Sequence, residues 1–527
     1  MNVQRRNILR GSLAAALALP MAGVKAVELT KDIKWDKEAD VVVVGFGGAG
    51  ACAAIEAHDA GAKVLIIEKL AEGGGNTAVS SGGFMVPKDK NEAYKYLNAT
   101  YAFADSEKDE ELLQKFCDDI MGVKDFITGL KPDTKLMIYG HAGFKTLPGS
   151  DTIDKYRVRG KKRGGDCLFD TYKYAIEDAR KIEVMYETPA LEIIRRGEEA
   201  VGVVANAKGK KINIKANRAV ILTTGGYEYD PQSLRTFALG RSILGLGNPG
   251  NTGDGLRMAQ SMGARLWHMT AYSCPVGMKV PGLKAAIQLN ILAPSHIWVD
   301  QDGKRFVNEK GLDNHTCLYA VNQMDPIKHR YPRIPCFLIM DEKARKTGPI
   351  SGGATSGYAL NREGYKWSSD NSVEIEKGII IKAQTIRELA EKIKVPADAL
   401  EATVKRWNTD IKNGKDTEFG RILKRDPKGK STFAGREAPI VSEPLSEEGP
   451  YYAVPLYPTM LNTQGGPKKN IKGQVMDPLD RPIPRLYAAG ELGSMWGSIY
   501  QGATNNAECI VFGRIAGREA AKEKPWA

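Results

Sequence analysis

Asp40-Val41-Val42-Val43-Val44-Gly45-Phe46-Gly47-Gly48-Ala49-Gly50 is the stretch on which the fold turns. An unbroken apolar run ending in glycine reads as a parallel strand buried on both faces. Glycines 45, 47 and 50 then form a G-x-G-x-x-G corner. Ala51 to Ala60 has helical composition, and Lys63-Val64-Leu65-Ile66-Ile67-Glu68 reads as a second strand closed by an acid. Strand, glycine turn, helix, strand and terminal acid are the full context that a dinucleotide-binding corner requires. Gly45 permits the tight turn, Gly47 lets backbone approach a pyrophosphate, and Gly50 lets the helix pack on the strand. The helix N-terminus turns free N–H groups and a positive dipole toward the phosphates. Glu68 is placed to accept from ribose hydroxyls, and its charge disfavours a 2′-phosphate.

Further along the chain, glycine clusters extend this corner. Glu72-Gly73-Gly74-Gly75-Asn76-Thr77 and Ser80-Ser81-Gly82-Gly83 follow the second strand, as a loop wrapping a flat ring system would. Ala219-Val220-Ile221-Leu222-Thr223-Thr224-Gly225-Gly226 and Leu486-Tyr487-Ala488-Ala489-Gly490-Glu491 are each a strand running into a glycine turn. Asn505 to Ala520 has helical periodicity. A nucleotide held by both ends of the chain implies a discontinuous domain with an insertion. A length of 527 residues also points to more than one core.

Arg5-Arg6-Asn7-Ile8-Leu9, a short apolar stretch from Leu13 to Ala22 and Val24-Lys25-Ala26 read as a twin-arginine export signal over residues 1–26. An uncleaved anchor helix is the alternative, but the stretch is short for a membrane span and contains Pro20. The formal net charge of +12 is scattered along the chain, and no nucleic-acid motif accompanies it. Seven widely spaced cysteines make neither a disulfide framework nor a Cys-x-x-Cys-His haem site. The six histidines do not cluster in sequence, so no metal site is expected.

These segments, with Thr252-Gly253-Asp254-Gly255 and Gly303-Lys304-Arg305-Phe306-Val307-Asn308-Glu309, resemble the flavoprotein subunits of the fumarate reductase and succinate dehydrogenase family. The likeness is to its soluble periplasmic, flavocytochrome c-like branch without a haem domain. At the last substrate-side motif it extends to 3-ketosteroid dehydrogenases. The resemblance implies an α/β fold: a discontinuous, Rossmann-like FAD-binding domain at 27–267 and 462–527, and an inserted α+β capping domain at 268–461. FAD is expected to be non-covalent. Its expected contacts are Gly45, Gly47, Gly48, Ala49, Gly50, Glu68, Lys69, Gly74, Gly75, Asn76, Thr77, Ser81, Gly82, Gly83, Thr224, Gly225, Gly226, Asp254, Gly490, Glu491, Asn505, Asn506 and Ala507. Within the cap, Thr385–Lys394 and Pro396–Asn408 read as amphipathic packing helices.

Family members that reduce fumarate grip its carboxylates with two histidines and an arginine and protonate it from a second arginine. His268 keeps the first histidine, Asn462 replaces the second, and Asp313 stands where the proton-donating arginine is expected. Trp496 to Ala503 contains no arginine but does contain Tyr500, whose phenol matches a ketone-polarising tyrosine of the ketosteroid enzymes. A buried dianion without opposing charge costs several kcal/mol, so fumarate and succinate are disfavoured. The expectation is a periplasmic reductase of an enoate or enone by hydride transfer from flavin N5. Tyr500 and Asn462 would hold the enolate, with Asp313, His315, His268 or Tyr500 as proton donor. Desaturation beside a ketone is the alternative, and a non-catalytic electron carrier or sensor is the third reading. Electrons are expected from a separate c-type cytochrome or a membrane quinol-linked donor in anaerobic respiration. No nucleic-acid partner and no stable membrane span are expected.

Overall fold

The computed structural model describes residues 25–104, 107–238, 243–313, 315–352, 357–424, 441–497 and 500–526. The export signal read from the sequence lies outside them, except for its last two residues.

The valine run forms strand Lys37–Val44, and Val41, Val42 and Val43 are fully buried. Neighbouring side chains point to opposite faces of a strand, so burial of all three shows that both faces are covered. On one side the strand pairs in parallel with Val64–Ile67, which pairs with Glu183–Met185. On the other it pairs in parallel with Lys210–Leu222, and that strand with Pro482–Ala488 near the C-terminus. Both ends of the chain therefore meet in one sheet. Antiparallel strands Ala190–Arg196 and Glu199–Ala207 extend its edge, and the short strands Val27–Glu28 and Gln474–Met476 bring it to nine among the described residues.

The helix after the glycine corner, Gly48–Asp59, packs against the C-terminal helix Thr504–Lys522. The approach is very close. A Cβ on Gly513 would stand 2.7 Å from the Ala49 carbonyl oxygen, and one on Gly517 would stand 2.2 Å from that of Ala53. The small residues of both helices are what allow backbone to meet backbone.

The insertion builds its own sheet around Cys336–Asp341 and Tyr451–Met460, paired antiparallel. The expected amphipathic helices appear at Ile386–Ile393 and Ala397–Lys412; Leu389, Ile393, Leu400, Val404 and Trp407 bury one stripe of them. Arg305 and Glu309 of the RFVNE segment pair with each other and with Asp416 and Arg421 in the cap interior. That motif is therefore a brace of the cap. Two short ribbons join the bodies: Leu266–Trp267 with Gly466–Pro467, and Tyr272–Ser273 with Asn462–Thr463. The ribbon strand Leu266–Trp267 ends just before position 268, and the strand Asn462–Thr463 begins just after position 461. One segment crosses over: Leu244–Gly245, placed in the first domain by sequence, pairs with Thr459–Met460 of the cap sheet. All seven cysteines are buried and free. Among the described residues, no helix is long and apolar enough to cross a membrane.

Gly517→Ala should force the two helices apart and lower stability by roughly 1–3 kcal/mol. Gly129→Ala, with nothing within 4 Å of the added methyl, should leave it nearly unchanged. Thermal melting of both variants checks this; equal midpoints would refute the role given to the glycine contact.

Candidate active site

A cavity of about 1150 Å³, its mouth included, lies along the ends of the parallel strands. Its first wall is the glycine corner. Gly45 has φ +104°, and a Cβ there would stand 2.6 Å from the Thr223 carbonyl oxygen. A Cβ on Gly50 would lie 2.0 Å from the carbonyl oxygen of Gly45. Only glycine lets the helix begin so close to the strand.

Glu68 lines the cavity, and its carboxylate accepts the N–H groups of Phe46 (2.8 Å) and Leu70 (2.9 Å). Burial outweighs these bonds and pushes its carboxyl above the usual range. Lys69 donates to Asp254 and to the Thr252 hydroxyl, each at 2.7 Å. Burial opposes ionisation of Asp254, but Lys69 and Arg257 prevail and hold the carboxyl below its ordinary value. This pair ties the Thr-Gly-Asp-Gly turn to the second strand, and both residues face the cavity. Among the described lining residues Lys69 is the one cation, and Asp254 neutralises it.

Asn76 organises the middle of the wall. Its carbonyl accepts the Asn248 N–H at 2.7 Å, and its amide donates to Glu228 at 2.8 Å and Glu491 at 3.0 Å. Two carboxylates thus share one amide in a buried place. Burial pushes Glu228 up to about 7; burial and the charge of Glu228 push Glu491 well above its usual value. Like charges this close cannot both ionise cheaply.

Gly47, Gly48, Ala49, Gly75, Thr77, Thr224, Gly225, Gly490, Asn505 and Asn506 also line the cavity. Gly50, Gly74, Ser81, Gly82, Gly83, Gly226 and Ala507 are not among its lining residues. They act through packing: a Cβ on Gly82 would meet the Gly164 carbonyl oxygen at 2.1 Å, one on Gly83 the Tyr139 hydroxyl at 1.8 Å, and one on Gly226 the Thr463 hydroxyl at 2.2 Å. Asn248, Asn251 and Leu461 line the wall without having been expected; Asn251 directly precedes the Thr252–Gly255 segment, while Asn248 and Leu461 stand outside any motif.

Of the residues expected at the chemistry, Tyr500 and Asn462 line the cavity. The Tyr500 hydroxyl accepts the Ala503 N–H at 3.1 Å, and burial pushes the phenol upward, so it stays neutral. Asn462 is buried, with its amide donating to the Thr463 carbonyl at 3.2 Å. His268 does not line the cavity. It has φ +51°, its ring stacks on Trp267, and its two nitrogens face the carbonyl oxygens of Ser494 and Glu107 at 2.9 Å each. The structure places it as a clasp at the domain junction.

Asp313 also lies off the lining, and the raised pKa that proton donation requires is absent. Its carboxylate accepts from the backbone N–H and Nδ1 of His315, both at 2.9 Å. Burial favours its neutral form, but His315 and Lys155 outweigh burial and hold it below its usual value. Lys155, on strand Ile153–Val158, was missed by sequence because a lone lysine in a strand carries no motif. His315 in turn meets the Tyr500 ring edge to face, centroids 4.7 Å apart.

The wall also contains polar groups that protein atoms leave unsatisfied. The Thr224 hydroxyl and both side-chain polar atoms of Asn505 are buried with no hydrogen-bond partner. Buried polar atoms of this kind call for a ligand. Together with the glycine corner, they fit a dinucleotide, which these residues would hold.

The class these features define is an FAD-binding flavoprotein. The FAD binding domain family (FAD_binding_2) matches residues 40–507, and the chain belongs to it, within the fumarate reductase and succinate dehydrogenase group of FAD-dependent oxidoreductases. The chain is 28% identical to an NADH:fumarate oxidoreductase of Klebsiella pneumoniae, with 92% of this chain aligned; it spans about half, 48%, of that protein's length. It is 29% identical to the fumarate reductase (cytochrome) of Shewanella frigidimarina, over 92% of this chain and 77% of the other. It is 27% identical to the vinyl phenol reductase of Lactiplantibacillus plantarum, over 92% and 96%. Among solved structures, 3-ketosteroid delta1-dehydrogenase from Sterolibacterium denitrificans superposes with a TM-score of 0.77 at 23% identity, covering 92% of this chain and 99% of that one. At that identity the likeness shows the fold.

The carboxylate pair has a testable consequence. A raised acid stabilises the fold below the ordinary carboxylate range, and that contribution is lost as pH rises through the folded value. The thermal midpoint should therefore fall from about pH 5 to pH 8 as Glu228 ionises. In Glu228→Gln, whose amide mimics the protonated acid, the decline should be much shallower. An identical slope in the variant would remove the pair from the pH dependence.

Proposed function

We propose that this protein is a periplasmic FAD-dependent reductase of an activated C=C bond in an enoate or enone, and that fumarate is not its substrate. The observation that carries the reading is the flavin end of the cavity: a neutral phenol at Tyr500, an amide at Asn462, and no unneutralised cation among the described lining residues. A dianion in that wall has nothing to balance it. The vinyl phenol reductase and the fumarate reductases among its relatives, by their names, reduce carbon–carbon double bonds.

FAD, held non-covalently, supplies hydride at N5 when bound. The protein's own contribution is electrostatic. The Tyr500 oxygen accepts a backbone N–H, leaving its hydrogen for a carbonyl oxygen in the cavity. As hydride arrives, charge builds on that oxygen, and a fixed donor stabilises the enolate more than the ground state. Asn462 offers a second polar group on the same wall. Burial keeps Tyr500 neutral, so it donates without adding a charge. Microscopic reversibility gives the same site a second use, desaturation beside a ketone, which the Tyr500 placement also suits. Export on the twin-arginine route and electrons from a separate c-type cytochrome or quinol-linked donor complete the reading; the first rests on the Arg5-Arg6 segment and the second on the cytochrome-type fumarate reductase among the relatives.

Dithionite-reduced protein mixed anaerobically with cyclic enones, aryl enoates, acrylate and fumarate should be reoxidised by at least one of the first three and far more slowly by fumarate. Turnover of fumarate at a matching rate would defeat the substrate assignment. Tyr500→Phe should retain flavin and lose roughly 10²–10³-fold in enone turnover; an unaltered rate would remove the phenol from the mechanism.

A further inference from the structure

Tyr500 and Asn462 can share one developing oxyanion only at a fixed spacing, and they reach the cavity from different segments. Asn462 stands on a ribbon joining the two bodies, opposite Ser273, while Tyr500 lies in the turn before the C-terminal helix. We propose that His315, oriented by Asp313, is the positioning residue that sets this spacing. The inference rests on the C=C reduction proposed above and names the cap residue on which its two polar groups depend.

His315 is tied to both groups. Its carbonyl accepts the Cys274 N–H at 3.0 Å, and Cys274 directly follows the ribbon strand Tyr272–Ser273, which pairs with Asn462–Thr463. Its ring meets the Tyr500 ring edge to face, with centroids 4.7 Å apart and planes at 83°. The charge distribution of two aromatic rings favours that arrangement. The imidazole sits in a notch: a Cβ on Gly502 would stand 3.0 Å from His315 Cε1. Bare backbone two residues after Tyr500 is therefore what admits the ring. Asp313 fixes its rotation, because one carboxylate oxygen accepts both the His315 backbone N–H and Nδ1–H, each at 2.9 Å. Two bonds to a single oxygen hold the imidazole in one orientation relative to its own backbone.

The far side of the turn is anchored by the FAD-binding domain. Gln501 is buried, and its side-chain carbonyl accepts the Gly143 N–H at 2.7 Å and the Tyr96 hydroxyl. The backbone carbonyls of Gln501 and Ala503 accept the N–H groups of Thr504 at 3.0 Å and Met85 at 3.1 Å. These bonds fix the backbone of the turn, and the cap braces the phenol ring that projects from it. His315 is not among the cavity's lining residues, so it acts through Tyr500. A donor displaced by about 1 Å can lose 10²-fold in rate.

The test is steady-state reduction of a cyclic enone by the holoenzyme, driven by reduced methyl viologen. The control is reoxidation of the reduced flavin by ferricyanide, which takes electrons without a carbonyl. His315→Ala should lose roughly 10–10²-fold in kcat on the enone, with KM little changed and ferricyanide reduction at the wild-type rate. Added to Tyr500→Phe it should cost nothing further, because the group that it positions is already gone. Asp313→Asn, whose side-chain oxygen can still accept both N–H groups, should keep most of the activity, and Asp313→Leu should not. A second readout needs no turnover: a substituted phenol, a planar mimic of the enolate, is titrated onto oxidised holoenzyme and followed by flavin absorption. It should bind about tenfold more weakly to His315→Ala than to wild type. Should His315→Ala fail to retain flavin, Gly502→Ala crowds the imidazole from the other side and should reproduce the kcat loss. Wild-type enone rates in His315→Ala, losses that multiply in the double variant, or equal losses on enone and ferricyanide would overturn the assignment. If the reduced wild-type flavin is oxidised by neither enone nor enoate, it is the C=C reading itself that fails.

Discussion

The structure depends on one close contact, the packing of the glycine-corner helix against the C-terminal helix. Gly513 and Gly517 bring backbone against the carbonyls of Ala49 and Ala53, closer than any side chain would permit. That contact delivers residues 490–506 to the same cavity as residues 45–77, across more than 400 positions of sequence. A buried ion pair fixes the arrangement further along. Lys469 and Glu508 lie 2.9 Å apart with almost no exposure, and Glu508 also accepts from the Ser494 hydroxyl and the Met495 N–H. Burying such a pair yields little net stability, but leaving either partner alone is strongly unfavourable. The pair therefore penalises any register of the helix but this one, and so positions Tyr500 and Asn505 as a consequence of packing.

The electrostatics of the cavity follow from the same economy of charge. Its basic residue is neutralised by Asp254, and Glu491 on the wall and Glu228 behind Asn76 are both driven toward their neutral forms by burial and proximity. Such a wall is polar without being strongly charged. It suits the hydroxyls of a ribityl chain and the amide-like edge of a flavin, and it leaves the second charge of a dianion without a counter-ion. Asn76 is central because its amide is the one group that meets both acids while its carbonyl holds Asn248.

The glycine corner was legible because it is local: strand, turn, helix and terminal acid stand within thirty residues and their spacing encodes their geometry. The later strand-to-glycine turns at 223–226 and 488–490 were readable for the same reason, and the parallel pairing of Lys210–Leu222 and Pro482–Ala488 with one another follows from their apolar runs. The cap helices declared themselves by periodicity. What sequence did not reveal depends on tertiary neighbours. His268 occupies a position that carries a ligand-binding role in the family, but here its nitrogens are spent on two backbone carbonyls. A proton-donating Asp313 would need isolation from cations; His315 and Lys155, the latter 158 positions earlier, remove it. Leu244–Gly245 is too short to announce which sheet it joins.

Asp313 also shows what the loss of an arginine does to the region behind Tyr500. An arginine there would bring permanent positive charge; in its place stands a carboxylate that His315 and Lys155 hold ionised against the pull of burial. His315 donates through Nδ1 to that carboxylate and packs edge to face on the Tyr500 ring. Asp313 lies off the cavity lining, so its influence on the cavity passes through the ring that it holds against the phenol, and the neutral hydroxyl of Tyr500 is the group that faces inward.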